Sequence, residues 1–157
     1  MRRMTIYLIR HAHAVEGDDD ARRPLSDKGR RQIRAMAKFL RRSGRLKTRE
    51  FWHSPLERAK NTAALLAGDM ELDAKLSEVA GVEPYANPAT MAAKLKSIRR
   101  SVAVVGHEPH LSALATLLIL GRAEHPVLVL KKGAVAALER KDGRWALRWQ
   151  VSPKEIA

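Results

Sequence analysis

Three short apolar segments, each followed by reactive side chains and then by a helical pattern, constrain the fold of this chain most strongly. The segments are residues 5–9, 51–53 and 102–105, and they are short, apolar and rich in β-branched or aromatic residues, as buried strands are. Strands that alternate with helices are typical of a layered α/β fold. The length of 157 residues suits one domain, and we expect residues 1–157 to form it.

Capping residues set the expected limits of the helices. Ser26 lies just before apolar positions at helical spacing and can accept the free N–H groups of a first turn, while Gly44 can end that helix. A second helix is predicted over residues 56–68. Asn87 caps a third helix, and Pro109 opens a fourth that runs to about residue 119.

The region after the second helix and the C-terminal part of the chain carry weaker signals. Residues 69–87 predict a loop with one short strand near residues 72–76. Residues 127–130 and 134–139 predict two strands around a Lys-Lys-Gly turn, and a hairpin leads into a strand over residues 145–151. We therefore expect a sheet with an antiparallel portion at its C-terminal end.

The charge balance of the chain is strongly basic, with 30 Lys and Arg residues against 17 Asp and Glu residues and a net charge of +13. Ten of the 22 residues in the segment 28–49 are basic. Such a surplus attracts anionic partners, but a nucleic-acid surface usually interleaves aromatic residues for stacking, and only Phe39 lies within the segment. The pattern favours a solvated helix face, and it disfavours nucleic acid.

Two absences narrow the class of protein further. Because the chain contains no cysteine, disulfide scaffolds, thiolate zinc sites and cysteine nucleophiles are excluded. The longest apolar stretch, residues 111–120, is far shorter than the roughly 20 residues of a membrane span, and no signal-peptide core fits the first residues. We expect a cytoplasmic protein with no membrane contact.

Reactive side chains follow each of the three predicted strands. Arg10 and His11 end the first strand, Arg58 follows the second, and His107 follows the third. Ligands gather beyond the carboxyl ends of strands in open α/β sheets, so these side chains are expected to converge there. Two guanidinium groups and two imidazoles suit a phosphoryl group, because arginine binds its oxygens bidentately and stays charged.

This set of residues also indicates a mechanism. A neutral imidazole, with an ordinary pKa of ~6.5, is a good nucleophile toward phosphorus, and a phosphorylated histidine divides the transfer into two easier steps. The arginines neutralise the charge on the transferred group. Such a site requires neither a metal ion nor another cofactor.

Four sequence blocks resemble the histidine phosphatase (phosphoglycerate mutase-like) superfamily. They are Leu-Ile-Arg-His-Ala at 8–12, Arg-Pro-Leu-Ser-Asp-Lys-Gly at 23–29, Ser-Pro-Leu-Glu-Arg-Ala-Lys-Asn-Thr-Ala at 54–63 and Val-Gly-His-Glu-Pro at 105–109. The short chain resembles the small bacterial phosphohistidine phosphatase (SixA-like) branch. This resemblance implies a three-layer α/β/α sandwich with a mixed, mainly parallel sheet.

The same resemblance implies roles for the site residues. His11 would be the phosphorylated nucleophile, Arg10, Arg58 and His107 would bind the phosphate, and His107 would also take part in catalysis. The implied activity is that of a metal-independent phosphatase acting through a phosphohistidine intermediate, with protein phosphohistidine as substrate. The expected partner is a phosphorylated protein, such as one with a phosphohistidine domain. Most of the basic surplus of residues 28–49 is expected on one helix near the pocket mouth, where it would steer such an acidic partner toward His11.

The chain departs from the family pattern at several positions. Ala12 replaces the usual glycine, and His13 stands where an acid or an amide is common. The family's general acid has no secure counterpart, and Glu78 and Glu83 are the candidate proton donors. Glu108 either shapes the pocket rim or is a first-turn acid of the next helix. Because phosphohistidine leaves as a neutral imidazole, it needs less proton donation than a sugar alkoxide, so a weak donor favours a P–N substrate.

Three other functions fit parts of the sequence. A phosphatase of small phosphometabolites, such as sugar phosphates or nucleotides, would use the same residues and mechanism. A metallohydrolase would draw on His11, His13, His107 and His110 together with the acidic residues 18–20. A basic module that binds nucleic acid or acidic protein would have a degenerate pocket, and the intact set of arginines and histidines opposes that interpretation.

Overall fold

The computed structural model describes residues 3–156 and contains a six-stranded sheet between two helical layers. The strands are β1 (Met4–Arg10), β2 (Glu50–His53), β3 (Lys75–Glu78), β4 (Val102–Gly106), β5 (Val135–Lys141) and β6 (Arg144–Val151). Their order across the sheet is β3-β2-β4-β1-β5-β6. The first four are parallel to one another, whereas β5 is antiparallel to both β1 and β6. The predicted antiparallel portion at the C-terminal end is confirmed.

The helices cover both faces of this sheet. They are α1 (Asp27–Ser43), α2 (Glu57–Asp69), α3 (Pro88–Ser97), α4 (His110–Leu120) and the short α5 (Pro153–Ile156). Because side chains alternate along a strand, Ile6 and Leu8 of β1 pack with α3 and α4, while Tyr7 and Ile9 pack with α1 and α2. The two separate cores confirm the three-layer α/β/α sandwich.

The register of the central strands brings their carboxyl ends to one edge. Arg10, the last residue of β1, pairs with Gly106 at the end of β4. In the same way His53 at the end of β2 pairs with Val105. The residues that follow these three strands therefore start from neighbouring positions at the same edge of the sheet.

Local capping explains where the helices begin and end. The Ser26 hydroxyl accepts a hydrogen bond from the N–H of Gly29 at 3.1 Å, and Gly44 ends α1 with a φ of 67°. Asn87 caps α3 and Pro109 precedes α4, as predicted. Within residues 3–156, no helix is both long and apolar enough to cross a bilayer.

The predicted strand over residues 127–130 is wrong. The backbone of Leu130 bonds to side chains instead of to a neighbouring strand: its carbonyl accepts from Arg10 Nη1 at 2.9 Å, and its N–H donates to Glu108 Oε2 at 2.9 Å. The N–H of Val127 likewise donates to the Thr116 hydroxyl. The apolar, β-branched composition predicted a strand, but long-range polar contacts hold the segment as an irregular loop.

The short strand predicted near residues 72–76 exists but begins later, at Lys75. Leu72 is not part of the strand, because its N–H donates to the carbonyl of Ala67 and so completes the end of α2. Pairing with β2 starts only where Glu50 faces Lys75. The start of this edge strand is set by its neighbour rather than by its own composition.

Candidate active site

Four side chains predicted from the sequence lie around the carboxyl ends of β1, β2 and β4. His11, Arg58 and His107 are buried, with 7%, 6% and 1% of their surfaces exposed, and Arg10 is half-buried. The rings of His11 and His107 have centroids 5.1 Å apart and are inclined by 48°. The structure therefore brings both imidazoles together, with Arg58 close enough to act on the charge of both and Arg10 on that of His11.

The backbone sets the tautomer of His11. Its Nδ1 lies 2.7 Å from the carbonyl oxygen of Ala12, and a carbonyl can only accept, so Nδ1 carries the hydrogen. The lone pair is then on Nε2. Burial lowers the pKa of His11 from 6.5 to about 4, and the positive charges of Arg58 and Arg10 act in the same direction. His11 is therefore neutral at neutral pH, which is the form that a nucleophile needs.

His107 is the more deeply buried imidazole. Its Nε2 shares a hydrogen bond with the Ser54 hydroxyl at 2.6 Å, while its Nδ1 has no hydrogen-bond partner among the described residues. Burial lowers its pKa to about 3, and the nearby His11 and Arg58 add to this effect. Ser54 begins the sequence block at 54–63 that resembles the family. Its contact with His107 joins residues 53 positions apart and depends on the pairing of β2 with β4, so the block did not predict it.

These two depressed pKa values predict that the fold loses stability in acid. The unfolded chain protonates both histidines near the ordinary value of 6.5, whereas the folded protein does so only near 4 and 3. Stability should therefore fall as the pH drops from about 6.5 toward 4, by up to about 1.4 kcal/mol per pH unit for each histidine. Urea unfolding at several pH values measures this slope.

The matched variants for the acid slope are His11→Gln and His125→Asn. His11→Gln removes one of these two imidazoles, those of His11 and His107, and should make the slope shallower. His125 is exposed, with a φ of 54° that Asn tolerates, and its replacement should leave the slope unchanged. An equal slope in wild type and His11→Gln would contradict the low pKa of His11.

Arg58 is held by an acidic residue that the sequence did not single out for this contact. Its Nη1 donates to the backbone carbonyl of Asp20 at 2.8 Å, and its Nη2 lies 3.3 Å from an Asp20 carboxylate oxygen. Arg23 also pairs with Asp20, at 2.9 Å. The segment before α1 thus folds over the guanidinium group. The run of aspartates at residues 18–20 was a signal in the sequence for a charged contact, but it did not indicate that Arg58 is the partner.

A buried threonine fixes the chain next to the nucleophile. The Thr62 hydroxyl accepts from the N–H of Ala12 at 3.1 Å and donates to the carbonyl of Arg58 at 2.7 Å. One side chain therefore ties the residue after His11 to the helix that carries Arg58. The position after His11 accommodates alanine in a fully buried setting.

Asp20→Asn is expected to tighten the binding of inorganic phosphate. The variant keeps the carbonyl contact to Arg58 but removes a negative charge that both occupies Nη2 and repels an incoming anion. We expect the Kd for orthophosphate to fall about threefold to tenfold, measured by calorimetry at low salt. Asp19→Asn is the matched control, because Asp19 pairs only with the exposed Arg22. An unchanged or higher Kd in Asp20→Asn would contradict this account of Arg58.

Arg10 and Glu108 hold the same loop from two sides. Arg10 Nη1 donates to the carbonyl of Leu130, and Glu108 accepts from the N–H of Leu130. Glu108 also accepts from the N–H of Ser112, at 2.8 Å, and from its hydroxyl. Glu108 lies two residues before α4 and is not a residue of its first turn, so that expected role is wrong as stated. Its carboxylate nevertheless accepts from an N–H of the first turn and also anchors the loop beside the site.

The two candidate proton donors differ in position. Glu78 is exposed on the edge strand β3. Glu83 is half-buried and accepts from the N–H groups of Gly81 at 2.7 Å and Val82 at 2.9 Å. Burial pushes the pKa of Glu83 up, but these N–H donors outweigh burial and lower it. Within residues 3–156 neither carboxylate hydrogen-bonds to His11 or His107, and Glu83 is held in its ionised form.

His13 belongs to the start of α1 rather than to the histidine pair. Its N–H donates to Gln32 Oε1 at 2.9 Å, and its Nδ1 lies 2.6 Å from the Ser26 hydroxyl. His110, in the first turn of α4, is also buried, and among residues 3–156 neither of its ring nitrogens has a hydrogen-bond partner. In the described part of the chain, no three His, Asp or Glu side chains come together as metal ligands. The ligand set of the metallohydrolase alternative does not assemble.

The basic helix α1 begins at the site and leads away from it. Its 17 residues span roughly 25 Å at about 1.5 Å per residue. Lys28 in the first turn lies close enough to influence His13, whereas Arg41 in the last turn pairs with Glu71. The expectation that most of this basic surplus lies near the pocket mouth is therefore wrong.

Lys132 is a cation of the site that the sequence analysis missed. The next residue, Gly133, donates its N–H to the carbonyls of Arg10 and His11 at 3.1 and 3.2 Å. This contact brings the half-buried Lys132 to the site, where burial and the charge of Arg10 lower its pKa. The Lys-Lys-Gly sequence indicated only a turn.

The sequence pattern of the histidine phosphatase superfamily (branch 1) matches residues 6–88, which include Arg10, His11 and Arg58. The chain belongs to the histidine phosphatase superfamily. The chain is 30% identical over 139 residues to an uncharacterised protein of Picosynechococcus sp., and the alignment covers 84% of this chain and 83% of its relative. Members of the superfamily are phosphatases.

Solved structures of other superfamily proteins have the same fold. The protein histidine phosphatase SixA, complexed with tungstate, gives a TM-score of 0.88 at 24% identity and covers 98% of this chain and 100% of SixA. A putative α-ribazole-5′-P phosphatase from Escherichia coli gives a TM-score of 0.80 at 20% identity, with 96% and 98% of the two chains covered. The fold is therefore shared by a protein phosphatase and by a phosphatase named for a small molecule.

Proposed function

We propose that this histidine phosphatase superfamily member is a phosphatase that forms a phosphohistidine at His11 and acts on protein phosphohistidine. The observation that carries the proposal is the hydrogen bond from His11 Nδ1 to the carbonyl of Ala12, at 2.7 Å. Together with the burial that lowers the pKa of His11 to about 4, it leaves Nε2 with a free lone pair beside two guanidinium groups.

In the first step, the Nε2 lone pair of His11 attacks phosphorus. The substrate phosphohistidine reacts with the other nitrogen of its ring protonated. A P–N bond forms to the enzyme as the bond between phosphorus and the substrate nitrogen breaks, and that nitrogen keeps the electron pair, so the imidazole leaves as a neutral molecule. The positive charge passes to the phosphorylated ring of His11, whose Nδ1–H stays bonded to the carbonyl of Ala12. In the second step, a water oxygen attacks phosphorus, the bond to Nε2 breaks, and the proton of the water passes to solvent or to the released phosphate. No redox change occurs in either step.

Arg10, Arg58 and His107 have roles that follow from their charge and position. Fixed guanidinium groups stabilise the equatorial oxygens of the phosphoryl group without needing a proton, and they act strongly because the site is buried. His107, held by Ser54, packs 5.1 Å from the ring of His11 and confines its orientation. These residues bind and position the phosphoryl group, while His11 forms the covalent bond.

The choice of a P–N substrate is supported by the positions of the two candidate proton donors, neither of which hydrogen-bonds to His11 or His107 within residues 3–156. Glu83 is kept ionised by backbone N–H groups, and Glu78 is exposed at the sheet edge. An alkoxide leaving group needs a proton, whereas imidazole leaves as a stable neutral molecule. Likeness of fold to SixA over 98% of the chain supports the same substrate class. The alternative, a phosphatase of small phosphometabolites, is supported by the likeness to the α-ribazole-5′-P phosphatase.

A substrate panel tests this proposal. The panel contains a phosphohistidine peptide, phosphoramidate, a phosphoserine peptide, a sugar phosphate and a nucleotide, each assayed for phosphate release. We expect kcat/KM for the two P–N compounds to exceed that for the phosphate esters by at least about 100-fold, the effect of one absent general acid. A sugar phosphate or nucleotide that equals the phosphohistidine peptide would overturn the proposal in favour of the small-molecule alternative.

A further inference from the structure

We propose that Arg23, Lys28 and Lys132 form a second anion subsite, the cationic rim, which binds an acidic group of the substrate next to the scissile phosphoryl group. The proposal rests on the phosphatase function proposed above and extends it to the substrate's second charge. The chemistry recognised is a carboxylate or a second phosphoryl group. We favour an acidic side chain beside the phosphohistidine of a protein.

The backbone places Lys132 at the nucleophile. Gly133 has a φ of 78°, and its N–H is shared between the carbonyls of Arg10 and His11. A Cβ at this position would lie 3.0 Å from the Pro153 ring, so both conformation and space favour glycine. The turn also closes on itself through the N–H of Ala134, which donates to the carbonyl of Lys131 at 2.9 Å. Lys132 is therefore fixed by contacts that involve the nucleophile's own residue.

The stem of Lys132 is half-buried, yet its charge has no partner. The side chain lines a cavity of about 230 Å³ together with Arg10 and Gln32, and Gln32 accepts from the N–H of His13. Within residues 3–156 Lys132 makes no ion pair. Burial lowers its pKa, and Arg10 and Arg23 lower it further. Placing an unpaired ammonium group among other cations costs free energy, which a bound anion would offset.

The other two members of the rim surround the same space. Arg23 is held in place because its Nε donates to the carbonyl of Val15 at 2.8 Å, and Lys28 lies in the first turn of α1. Gln32, one turn after Lys28 on α1, lines the same cavity as Lys132 and accepts from the N–H of His13. Arg23 pairs with Asp20, which also contacts Arg58. These contacts place the three cations on the side of the site next to His13.

The pairing of the charges leaves two cations of the rim free for a second anion. Arg10 and Arg58 supply two positive charges for the transferred phosphoryl group, and the acids that act on this region are Glu16, Asp20 and Glu108. Asp20 is already shared between Arg58 and Arg23. Within residues 3–156, Lys28 and Lys132 make no ion pair. Two unpaired ammonium groups beside the phosphoryl site favour a substrate with a second acidic group.

Binding of orthophosphate and of methylenediphosphonate, which carries two phosphorus groups and is not hydrolysed, tests the subsite by calorimetry. We expect wild type to bind the diphosphonate at least about 10-fold more tightly than orthophosphate. Lys132→Met should weaken the binding of the diphosphonate more than that of orthophosphate and so reduce this preference to about twofold. Lys141→Met, which removes an exposed charge at the end of β5, should keep the preference. No preference in wild type, or an undiminished preference in Lys132→Met, would overturn the subsite.

A pair of phosphohistidine peptides identifies the source of the second anion. The peptides differ only in an Asp or an Asn beside the phosphohistidine. We expect the Asp peptide to have a kcat/KM about fivefold higher in wild type but not in Lys132→Met. Equal turnover of both peptides overturns the acidic side chain as the source. If neither peptide is hydrolysed while the diphosphonate preference still depends on Lys132, the subsite stands and the phosphohistidine assignment fails.

Discussion

Replacing His11 by alanine is expected to reduce turnover by more than about 10⁴-fold, because it removes the atom that forms the covalent bond to phosphorus. The loss should be equal for every substrate that wild type hydrolyses, since each passes through the same intermediate. Release of inorganic phosphate under single-turnover conditions measures the effect. His11→Ala should still bind orthophosphate, because Arg10, Arg58 and His107 remain in place.

The control for this variant is His125→Asn, which changes an exposed histidine far along the chain from the strand ends. It should retain the activity of wild type. Thermal unfolding of His11→Ala at neutral pH separates a loss of chemistry from a loss of fold. Retention of more than about a tenth of the wild-type rate by a folded His11→Ala protein would contradict nucleophilic catalysis at this residue.

Replacing Arg58 by lysine is expected to lower kcat/KM by about 100- to 1,000-fold, although the charge is kept. The guanidinium of Arg58 reaches Asp20 through two nitrogens and has further N–H groups for the phosphoryl oxygens. A lysine ammonium is a single point on a flexible stem and cannot serve Asp20 and the phosphoryl group in the same way. Steady-state kinetics with the preferred substrate measures the loss.

Lys60→Met is the matched control for Arg58→Lys. Lys60 lies two residues further along α2 but is exposed, so its replacement removes a positive charge without touching the buried contact. Its activity should stay within about twofold of wild type, as expected for a screened surface charge. A similar loss in both variants would show that the net charge of α2, and not the geometry of Arg58, supports activity.

Local patterns were sufficient to predict the central part of the site. His11 and His107 follow directly on short apolar segments, and strands of that kind place the next residue at the edge of the sheet. Arg58 follows a Ser-Pro pair that ends β2 and lies in the first turn of α2. Ser26 and Gly44 bound α1 through contacts within a few residues. Each of these features depends on neighbours that are visible in the sequence.

The contacts that complete the site join residues far apart in the chain. Arg58 and Asp20 are 38 positions apart, and Arg10 and Leu130 are 120 apart. The segment around Leu130 has the composition of a strand, but polar contacts with Arg10 and Glu108 outweigh that tendency. Lys132 reaches the site only because the backbone of Gly133 bonds to that of β1. Pattern and spacing carry no information on such pairings.

The central claim is that a covalent phosphoryl group forms on Nε2 of His11. It is tested most directly by mixing the enzyme with excess phosphohistidine peptide, quenching within milliseconds in alkali, which preserves the P–N bond, and mapping the phosphoryl group by mass spectrometry. We expect one phosphoryl group on the peptide that contains His11 and none in His11→Ala. A phosphoryl group on another residue, or full turnover with no phosphoryl group on the protein at any time, would contradict the account.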